Sequence, residues 1–363
     1  MNKCFITKLP SSVDNDNLPV LGQLRINWSK QSNLTDNDAR AIALSTNDSI
    51  TIKVSGAHLT DSTLASNLGN TKTITAADSL VWLYVSNDAD AVLTIDNKYS
   101  LTYLSFVRPN KGGLKRSVKF DINDIRYCTA LTSFDITNTQ VSGDISAVSQ
   151  LTALTYLNLS STQVSGDISD ISKCTALTLL NLSGTNVSGD ISAVSQLTAL
   201  ISLGLINTNV SGDISALSQL TALTSLALDN TNISGEIDSF ANLTKLSSLT
   251  SLKGLSLTGD MSKIPAGVNF ISQMGRKVTT NFTWTANGRQ NAALLAMEGL
   301  VPFDTASMDN MLIDQATCTV KGNDSQPWTK TISVSGTRTS ASDAAVATIQ
   351  SMGVTITGVT KQA

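Results

Sequence analysis

The chain has 363 residues, 41% of them hydrophobic and 15% charged, which is enough apolar material for substantial cores and excludes a disordered polymer. The formal net charge of -3 supplies no global positive field for nucleic acid or for an anionic membrane. No stretch is apolar over the length that a bilayer requires, so we expect neither a nucleic-acid partner nor membrane insertion.

The first residues carry one lysine and then a short apolar run, Cys4–Ile6. This run is too short for the apolar core of a secretory signal peptide. Cys4 also lies too near the start to be the lipidated cysteine that follows such a core. We therefore expect no signal peptide, and folding in a reducing cytoplasm.

Residues 1–97 contain short runs of β-branched and aromatic residues separated by turn residues. The clearest runs are Ser49–Val54, Leu80–Val85 and Ala91–Ile95. This pattern is typical of short strands, so we predict a mainly-β N-terminal domain.

A unit of 23 residues recurs through the middle of the chain, with the pattern LTxLxLxxTxVSGDISxxSxLTA. Its Val-Ser-Gly-Asp segment, which ends as Ile-Ser-Gly-Glu in the last copy, starts at Val141, Val164, Val187, Val210 and Ile233. A less regular copy precedes these at Val118–Asp121, with a strand at Leu101–Phe106 and an insertion between the two. A last irregular copy includes Leu252–Leu257.

One copy cannot bury its own leucines, but stacked copies, which we call rungs, share a continuous core and pair their strands into a parallel sheet. In one such strand the period of two points Leu157 and Leu159 inward. The same period points Tyr156, Asn158 and Ser160 outward. Seven rungs at about 4.8 Å each predict a rod roughly 30 Å long.

The repeat resembles the leucine-rich-repeat family, whose pattern LxxLxLxxNxLxGxI matches residues 101–260 nearly position for position. Threonine stands where that family usually has asparagine, at Thr139, Thr162, Thr185, Thr208 and Thr231. The resemblance implies an α/β-type solenoid, a right-handed coil with a parallel sheet, over residues 98–261. It also implies that partners bind on the exposed strand face.

Residues 262–363 mix helix and strand signals and are predicted to form a mixed α/β cap over the open end of the solenoid. We predict a helix at Asn287–Met297 and a strand at Thr331–Val334. Ser340–Asp343 has the pattern of a helix N-cap. After that helix, Val354–Ile356 is predicted to add a second parallel strand.

Signals for catalysis are weak. His58 is the one histidine, and no Ser-His-Asp or Cys-His arrangement has support around it. The sequence contains no phosphate-binding loop, no HExxH and no paired-cysteine motif. We therefore expect no enzymatic activity, no catalytic residue and no cofactor.

Two of the cysteines, Cys128 and Cys174, fall in the column that also holds Leu151, Leu197 and Leu220. That column faces inward, so both cysteines are predicted to be small core hydrophobes. Two rungs, or about 10 Å, separate them, which exceeds the ~7 Å limit between the Cα atoms of a disulfide. We expect neither a disulfide framework nor a zinc site.

An acidic residue recurs once per rung, at Asp121, Asp144, Asp167, Asp190, Asp213 and Glu236. Such a row either binds cations such as calcium, or each carboxylate caps the following turn by accepting a backbone N–H. We favour caps and predict no metal site, because one carboxylate per rung leaves most calcium ligands unsupplied.

A basic cluster precedes the first regular rung, at Arg108, Lys111, Lys115, Arg116, Lys119 and Arg126. Such a cluster is either a solvated loop or a contact for an acidic partner subunit. Few aromatic residues are interleaved with it, which disfavours nucleic acid.

The turn segment barely varies between rungs, whereas the outward strand positions do. Variation on one face is typical of a recognition surface and equally of an unconstrained surface. The large side chains there, Tyr156, Leu179 and Ile206, are the anchors that a partner would use. Our candidate binding residues are Tyr156, Asn158, Leu179, Asn181, Ile206 and Asp229.

The Ser/Thr-rich rungs, the opening MNKCFITKLPSSVDNDNLP and the closing Gly336–Asp343 resemble leucine-rich-repeat proteins of gut bacteria and their phages. The resemblance implies a non-enzymatic virion component, a fibre or tail-associated protein assembled in the host cytoplasm. Residues 1–97 would anchor it to other subunits, with oligomers allowed, and the rest would meet a host surface protein or glycan. The alternative is a bacterial cell-surface adhesin or protein-binding scaffold of the same repeat class.

Overall fold

The computed structural model describes residues 24–28, 40–55, 59–60, 67–78, 81–85, 91–106, 118–249, 252, 255–265, 268, 283, 297–316 and 331–362. In chain order they form a β-rich N-terminal unit, a stack of rungs and a C-terminal α/β unit. Within these ranges, no helix is both long and apolar enough to cross a membrane.

The N-terminal unit is built from short strands. They are β1 (Leu24–Trp28), β2 (Arg40–Thr46), β3 (Ile50–Ser55), β4 (Leu59–Thr60), β5 (Asn67–Gly69), β6 (Thr71–Ile74), β7 (Val81–Val85) and β8 (Ala91–Asp96). The three runs predicted from the sequence correspond to β3, β7 and β8 and are confirmed as strands. Their alternating apolar residues explain this, because every second side chain faces the core, as in Ile50, Ile52 and Val54.

The N-terminal unit is joined to the rungs by strand pairing on both faces. The rungs begin with β9 (Leu101–Ser105) and β10 (Val118–Lys119). Strand β2 pairs antiparallel with β9, placing Leu44 opposite Leu104, and β1 pairs antiparallel with β10, placing Trp28 opposite Val118. Leu24 and Leu44 belong to the same apolar cluster as the leucines of the rungs. This unit therefore closes the N-terminal end of the solenoid core, a role that the sequence did not indicate.

Each regular rung contributes one strand to a front sheet and one to a back sheet. The front strands are β11 (Ser133–Asp135), β13 (Tyr156–Asn158), β15 (Leu179–Asn181), β17 (Ser202–Gly204), β19 (Ser225–Ala227) and β21 (Ser248–Leu249). The back strands are β12 (Ser142–Asp144), β14 (Gln163–Asp167), β16 (Asn186–Asp190), β18 (Asn209–Asp213), β20 (Asn232–Glu236) and β22 (Ser256–Thr258). A 3₁₀ helix follows each back turn, at Ile122–Ile125, Ile145–Val148, Ile168–Ile171, Ile191–Val194, Ile214–Leu217, Ile237–Asn242 and Met261–Lys263.

The sheets confirm the predicted parallel solenoid. The front sheet has eleven strands in the order β21-β19-β17-β15-β13-β11-β9-β2-β7-β4-β5, and the back sheet has six in the order β12-β14-β16-β18-β20-β22. A separate five-stranded sheet, β10-β1-β8-β3-β6, completes the N-terminal unit. Successive front strands pair parallel at the repeat spacing, as in Leu157 opposite Leu180.

Inward and outward positions follow the predicted period. Leu157 and Leu159 are fully buried, whereas Tyr156 and Asn158 are half-buried on the outer side of the front sheet. Ser160 departs from its predicted exposure, since it is buried. Its backbone N–H donates to Oδ1 of Asn158 at 3.2 Å, so the chain turns inward at this point.

The threonines at the family's asparagine position are buried and satisfied within their own rung. Each hydroxyl donates to the carbonyl oxygen three residues earlier, at distances from 2.6 Å for Thr185 to 2.9 Å for Thr231. The preceding residue has positive φ, as at Asn138 and Asn207, which bends the chain toward the back sheet. Threonine therefore closes this turn without bonding the neighbouring rung.

The C-terminal unit alternates parallel strands with helices. Its elements are β23 (Met297–Pro302), α1 (Thr305–Ala316), β24 (Thr331–Arg338), α2 (Asp343–Ser351) and β25 (Thr355–Lys361). The strand order is β23-β24-β25, and Ile332 lies opposite Ile356. The strands predicted after residues 330 and 353 are thereby confirmed. Buried Met308 and Ile332 belong to the apolar cluster that includes the solenoid core, as a cap requires.

The N-cap predicted within Ser340–Asp343 is confirmed in position, since Ser342 precedes α2 and Asp343 lies in its first turn, but the Ser342 side chain makes no capping hydrogen bond. Thr339 caps the 3₁₀ turn before α2 by accepting the N–H of Ala341 at 3.1 Å. The helix predicted at Asn287–Met297 lies outside the described residues, except that Met297 opens β23.

Candidate binding face

The candidate binding face is the outer side of the front sheet, which we call the front face. Its side chains form columns that run across the rungs. The first column contains Ser133, Tyr156, Leu179, Ser202 and Ser225; the second contains Asp135, Asn158, Asn181, Gly204 and Ala227; the third contains Thr137, Ser160, Ser183, Ile206 and Asp229. Because neighbouring strands pair one rung apart, adjacent members of the first two columns lie directly opposite each other.

Tyr156 and Leu179 are the large neighbours of the first column. They lie opposite each other and are both half-buried. The Tyr156 hydroxyl donates to Oδ2 of Asp135 at 3.4 Å. Burial raises the pKa of Tyr156, and the Asp135 charge also raises it, so the phenol stays protonated and able to donate near neutral pH. An aromatic ring beside a carboxylate is a suitable anchor for a partner.

The second column is occupied by turn-forming side chains. Oδ1 of Asp135 accepts the N–H of Thr137 at 3.0 Å, and Oδ1 of Asn181 accepts that of Ser183 at 3.0 Å. Asn158 does the same for Ser160. A Cβ on Gly204 would lie 2.7 Å from Oδ1 of Asn181, so a side chain here would require the Asn181 amide to shift. The oxygens of the candidate residues Asn158 and Asn181 are therefore engaged in backbone capping, which the sequence analysis missed.

Ile206 and Asp229 of the third column lie on the two rungs that follow Asn181. Both are half-buried. The N–H of Ile206 donates to Oγ of Ser183 at 3.2 Å, which ties the two rungs together. The structure adds Ile201, which is 47% exposed at the start of strand β17. Its signal in the sequence is that it interrupts a threonine column, at Thr132, Thr155, Thr178 and Thr224.

The acidic column lies on the back turns, where its carboxylates are caps. Oδ1 of Asp144, Asp167, Asp190 and Asp213 accepts the N–H two residues on, at 2.8 Å in each case. Donation from Ser169 lowers the pKa of Asp167, as a bond to the ionised form must. Glu236 makes no such bond, and Asp260 resumes the pattern in the next rung. The favoured interpretation of this column is confirmed.

The same carboxylates explain the glycine of each back turn. Gly189 has a φ of +102°, and a Cβ there would lie 2.5 Å from Oδ1 of Asp167 in the preceding rung. Gly166, Gly212 and Gly235 stand over Asp144, Asp190 and Asp213 in the same way. Each Asp–Gly contact couples two rungs, so the segment Val-Ser-Gly-Asp is conserved within the chain by packing.

The cysteines of the rungs are inert core residues. Cys128 and Cys174 are free and fully buried. Burial raises the pKa of Cys128 to about 12 and that of Cys174 to about 11, so neither forms a thiolate near neutral pH. Their predicted core position is confirmed.

The remaining predicted features are only partly within the described residues. Arg126 donates to Oδ1 of Asn123 at 2.8 Å, and Lys119 is exposed. The other residues of the basic cluster, together with His58, Cys4 and Cys318, lie outside the described residues. Across the ranges that the structure describes, no three His, Cys, Asp or Glu side chains converge as metal ligands would. The expectation of no metal, cofactor or catalysis stays a prediction.

Comparison with known proteins identifies the repeat. The family model of Leucine Rich repeats (2 copies) matches residues 152–196. The plant peptide hormone receptor RGFR1 in complex with RGF2 is 19% identical with a TM-score of 0.42, over 61% of this chain and 31% of that chain. The Arabidopsis receptor kinase HAESA, in complex with the peptide hormone IDA and the co-receptor SERK1, is 22% identical with a TM-score of 0.43, over 61% of this chain and 36% of that chain. A plant ice-binding protein is 19% identical with a TM-score of 0.45, over 60% of this chain and 69% of that chain.

Among curated proteins there is no match to the sequence. The chain spans about a third of the length of the two receptor chains. The repeat itself is defined by its leucine positions, by the parallel register that stacks them and by the matching family model. Residues 152–196 therefore match the leucine-rich-repeat family model, and the rungs on either side continue the same 23-residue pattern.

Proposed function

We propose that the chain is a non-enzymatic scaffold that binds another protein on its front face. The observation that carries this proposal is the first column, where Tyr156 and Leu179 pair in an otherwise serine-rich row. The leucines beneath are fully buried, and the second column and the back turns have capping roles. The first column thus varies where neither the core nor a cap dictates the residue, which supports a role in recognition.

We further propose that this scaffold is a phage virion component, a fibre or tail-associated protein assembled in the host cytoplasm. Its partners would be other subunits and a protein or glycan of the host surface. The support is the resemblance of the Ser/Thr-rich rungs and of the closing Gly336–Asp343, which spans the turn between β24 and α2. The alternative is a bacterial cell-surface adhesin or scaffold of the same repeat class.

Fractionation separates these two settings. Cultures that carry the gene would be divided into particle, envelope and soluble fractions, and the chain would be quantified in each by mass spectrometry. Enrichment with capsid and tail proteins supports the virion. Enrichment in the envelope contradicts it in favour of the adhesin.

The role of the front face is tested by a double variant, Tyr156→Ala with Leu179→Ser, in the full chain. The matched control changes two exposed residues outside the front columns, Thr198→Ala and Asn209→Ala. We expect the front-face variant to be lost from the fraction that holds the parent protein and the control to be retained. Equal retention of both, with unchanged melting temperatures, would remove the front face from the proposal.

A further inference from the structure

The first back turn differs from all the turns that follow it. In the regular turns, the serine hydroxyls of Ser165, Ser188 and Ser211 donate to a glycine carbonyl of the preceding rung at 3.4 Å each. In the first turn, Lys119 and Phe120 stand where the others have serine and glycine. Its neighbour on one side is strand β1 instead of another turn. In the regular turns the glycine lies over the capping aspartate of the preceding turn. The first turn has strand β1 on that side instead of a capping aspartate, so a phenylalanine fits there.

This substitution leaves a recess of about 300 Å³ on the back side of the molecule. It is lined by Lys119, Phe120, Gln140, Ser142 and Gln163. The Phe120 ring packs on Phe106, with their centres 6.0 Å apart, and forms the apolar part of the wall. The volume lies at the low end of small-molecule sites, so it suits a single ring.

Among the described residues, the polar groups of the recess have no partners. Within the described part of the chain, the Lys119 ammonium, the Gln140 and Gln163 amides and the Ser142 hydroxyl make no hydrogen bond or ion pair. Ser142 lacks the bond of its column, although its N–H still donates to the carbonyl of Phe120 at 3.3 Å. One cation, two amides and a hydroxyl therefore converge on one recess without internal use.

The carboxylates of the two neighbouring back turns act as caps for their own turns. Oδ1 of Asp121 accepts the N–H of Asn123 at 2.9 Å, and Oδ1 of Asp144 accepts that of Ser146 at 2.8 Å. Neither aspartate lines the recess.

We propose that this recess binds a carboxylated sugar, such as a uronic acid residue of an acidic polysaccharide. The carboxylate pairs with Lys119, where a charge-assisted bond is stronger than a neutral one. The ring hydroxyls both donate to and accept from the Gln140 and Gln163 amides. The C–H face of the ring rests on the rim of Phe120. This site lies on the back side and does not depend on the function proposed for the front face.

The test uses the full chain and methyl β-glucuronide, with methyl β-glucoside and inorganic phosphate as comparison ligands, in isothermal titration calorimetry. We expect the glucuronide to bind and the glucoside to bind about tenfold more weakly, since it lacks the charged group. Lys119→Gln should weaken glucuronide binding by about tenfold, to the level of the glucoside. The matched control, Lys173→Gln, removes another exposed cation from a later rung and should change nothing.

Gln163→Ala tests the part of the site that does not depend on charge. It should weaken the binding of both sugars by a similar factor. Lack of glucuronide binding, or equal binding by the parent and Lys119→Gln, would overturn the proposal. Phosphate binding as tight as that of the glucuronide would overturn its sugar part and leave a general anion site. Melting temperatures show that each variant is folded.

Discussion

The back turns and the front face of the same rungs are constrained in different ways. On the back side each aspartate caps its own turn and also lies under the glycine of the next rung, as Asp167 does for Ser169 and Gly189. On the front face the first-column residues, such as Tyr156 and Leu179, neither cap a turn nor lie under a glycine of the next rung. Residues that repeat without change are therefore explained by contacts between rungs, and the varied first-column residues lie where no such contact fixes the side chain.

The second column of the front face lies between these two cases. Asp135, Asn158 and Asn181 cap the chain two residues on, which either an acid or an amide can do. The following rung has Gly204, where a Cβ would displace the Asn181 amide. Variation in this column follows local packing and is a weaker sign of recognition than variation in the first.

Two adjacent leucines should show the largest difference in stability between a buried position and a front-face position. Leu180 is fully buried and Leu179 faces outward. Leu180→Ala should lower the free energy of unfolding by about 3 kcal/mol through lost burial and the cavity left behind. Leu179→Ala should lower it by less than about 1 kcal/mol. Urea denaturation measures both, and similar losses would contradict the assignment of the two faces.

The glycine of the back turn has the next largest expected effect. Gly189→Ala places a methyl group in a left-handed conformation and against Asp167, and should cost about 2 kcal/mol. The matched control is Gly353→Ala, where φ is +75° and nothing lies within 4 Å of the added Cβ. It should cost about 1 kcal/mol, from backbone strain alone. Equal losses at the two positions would show that the carboxylate contact is unimportant.

Removing a cap has a smaller effect. Asp190→Ala leaves the N–H of Ser192 without its acceptor and should lower the free energy of unfolding by about 1 kcal/mol. Asp190→Asn keeps an acceptor oxygen and should retain most of the stability at neutral pH. Thermal melting distinguishes the two variants. A loss as large for asparagine as for alanine would indicate that charge, and not capping, is what matters there.

The smallest expected effect is the response to acid. The N–H and hydroxyl of Ser169 lower the pKa of Asp167 below its ordinary value of 3.8, and those of Ser192 do the same for Asp190. A depressed pKa in the folded state gives stability that is present above about pH 4 and lost as the pH falls through the folded-state pKa. Melting curves between pH 2 and 7 should therefore fall less steeply below pH 4 for the Asp167→Asn, Asp190→Asn variant than for the parent. An unchanged slope would contradict the role of these carboxylates.

The regular part of the fold was predictable because its signals are periodic. The spacing of Val141, Val164 and Val187 sets the rungs, and the period of two sets the buried leucines. The pairing of β2 with β9 was not predictable, since contacts between distant strands leave no periodic trace in one sequence. The N-cap position at Ser342 was predictable from the local pattern, but the lack of a capping bond from its side chain depends on side-chain geometry.

The candidate site was predictable only in its location. The column positions of Tyr156, Leu179 and Ile206 follow from the repeat, but the capping bonds of Asn158 and Asn181 depend on side-chain geometry. The recess at Lys119 was hidden for a different reason. It arises because one irregular turn meets an N-terminal strand, a contact that no local pattern encodes.

The most direct test of the contrast between the two sides is a double-mutant cycle at Asp167 and Gly189. Free energies of unfolding would be measured by urea denaturation for Asp167→Ala, Gly189→Ala, the double variant and the parent. If the carboxylate is what excludes a side chain from the next rung, Gly189→Ala should cost less in the Asp167→Ala background, by about 1 kcal/mol. Additive losses would mean that the two residues recur for separate reasons. That result would contradict the claim that contacts between Asp and Gly of adjacent rungs explain the repeated turn.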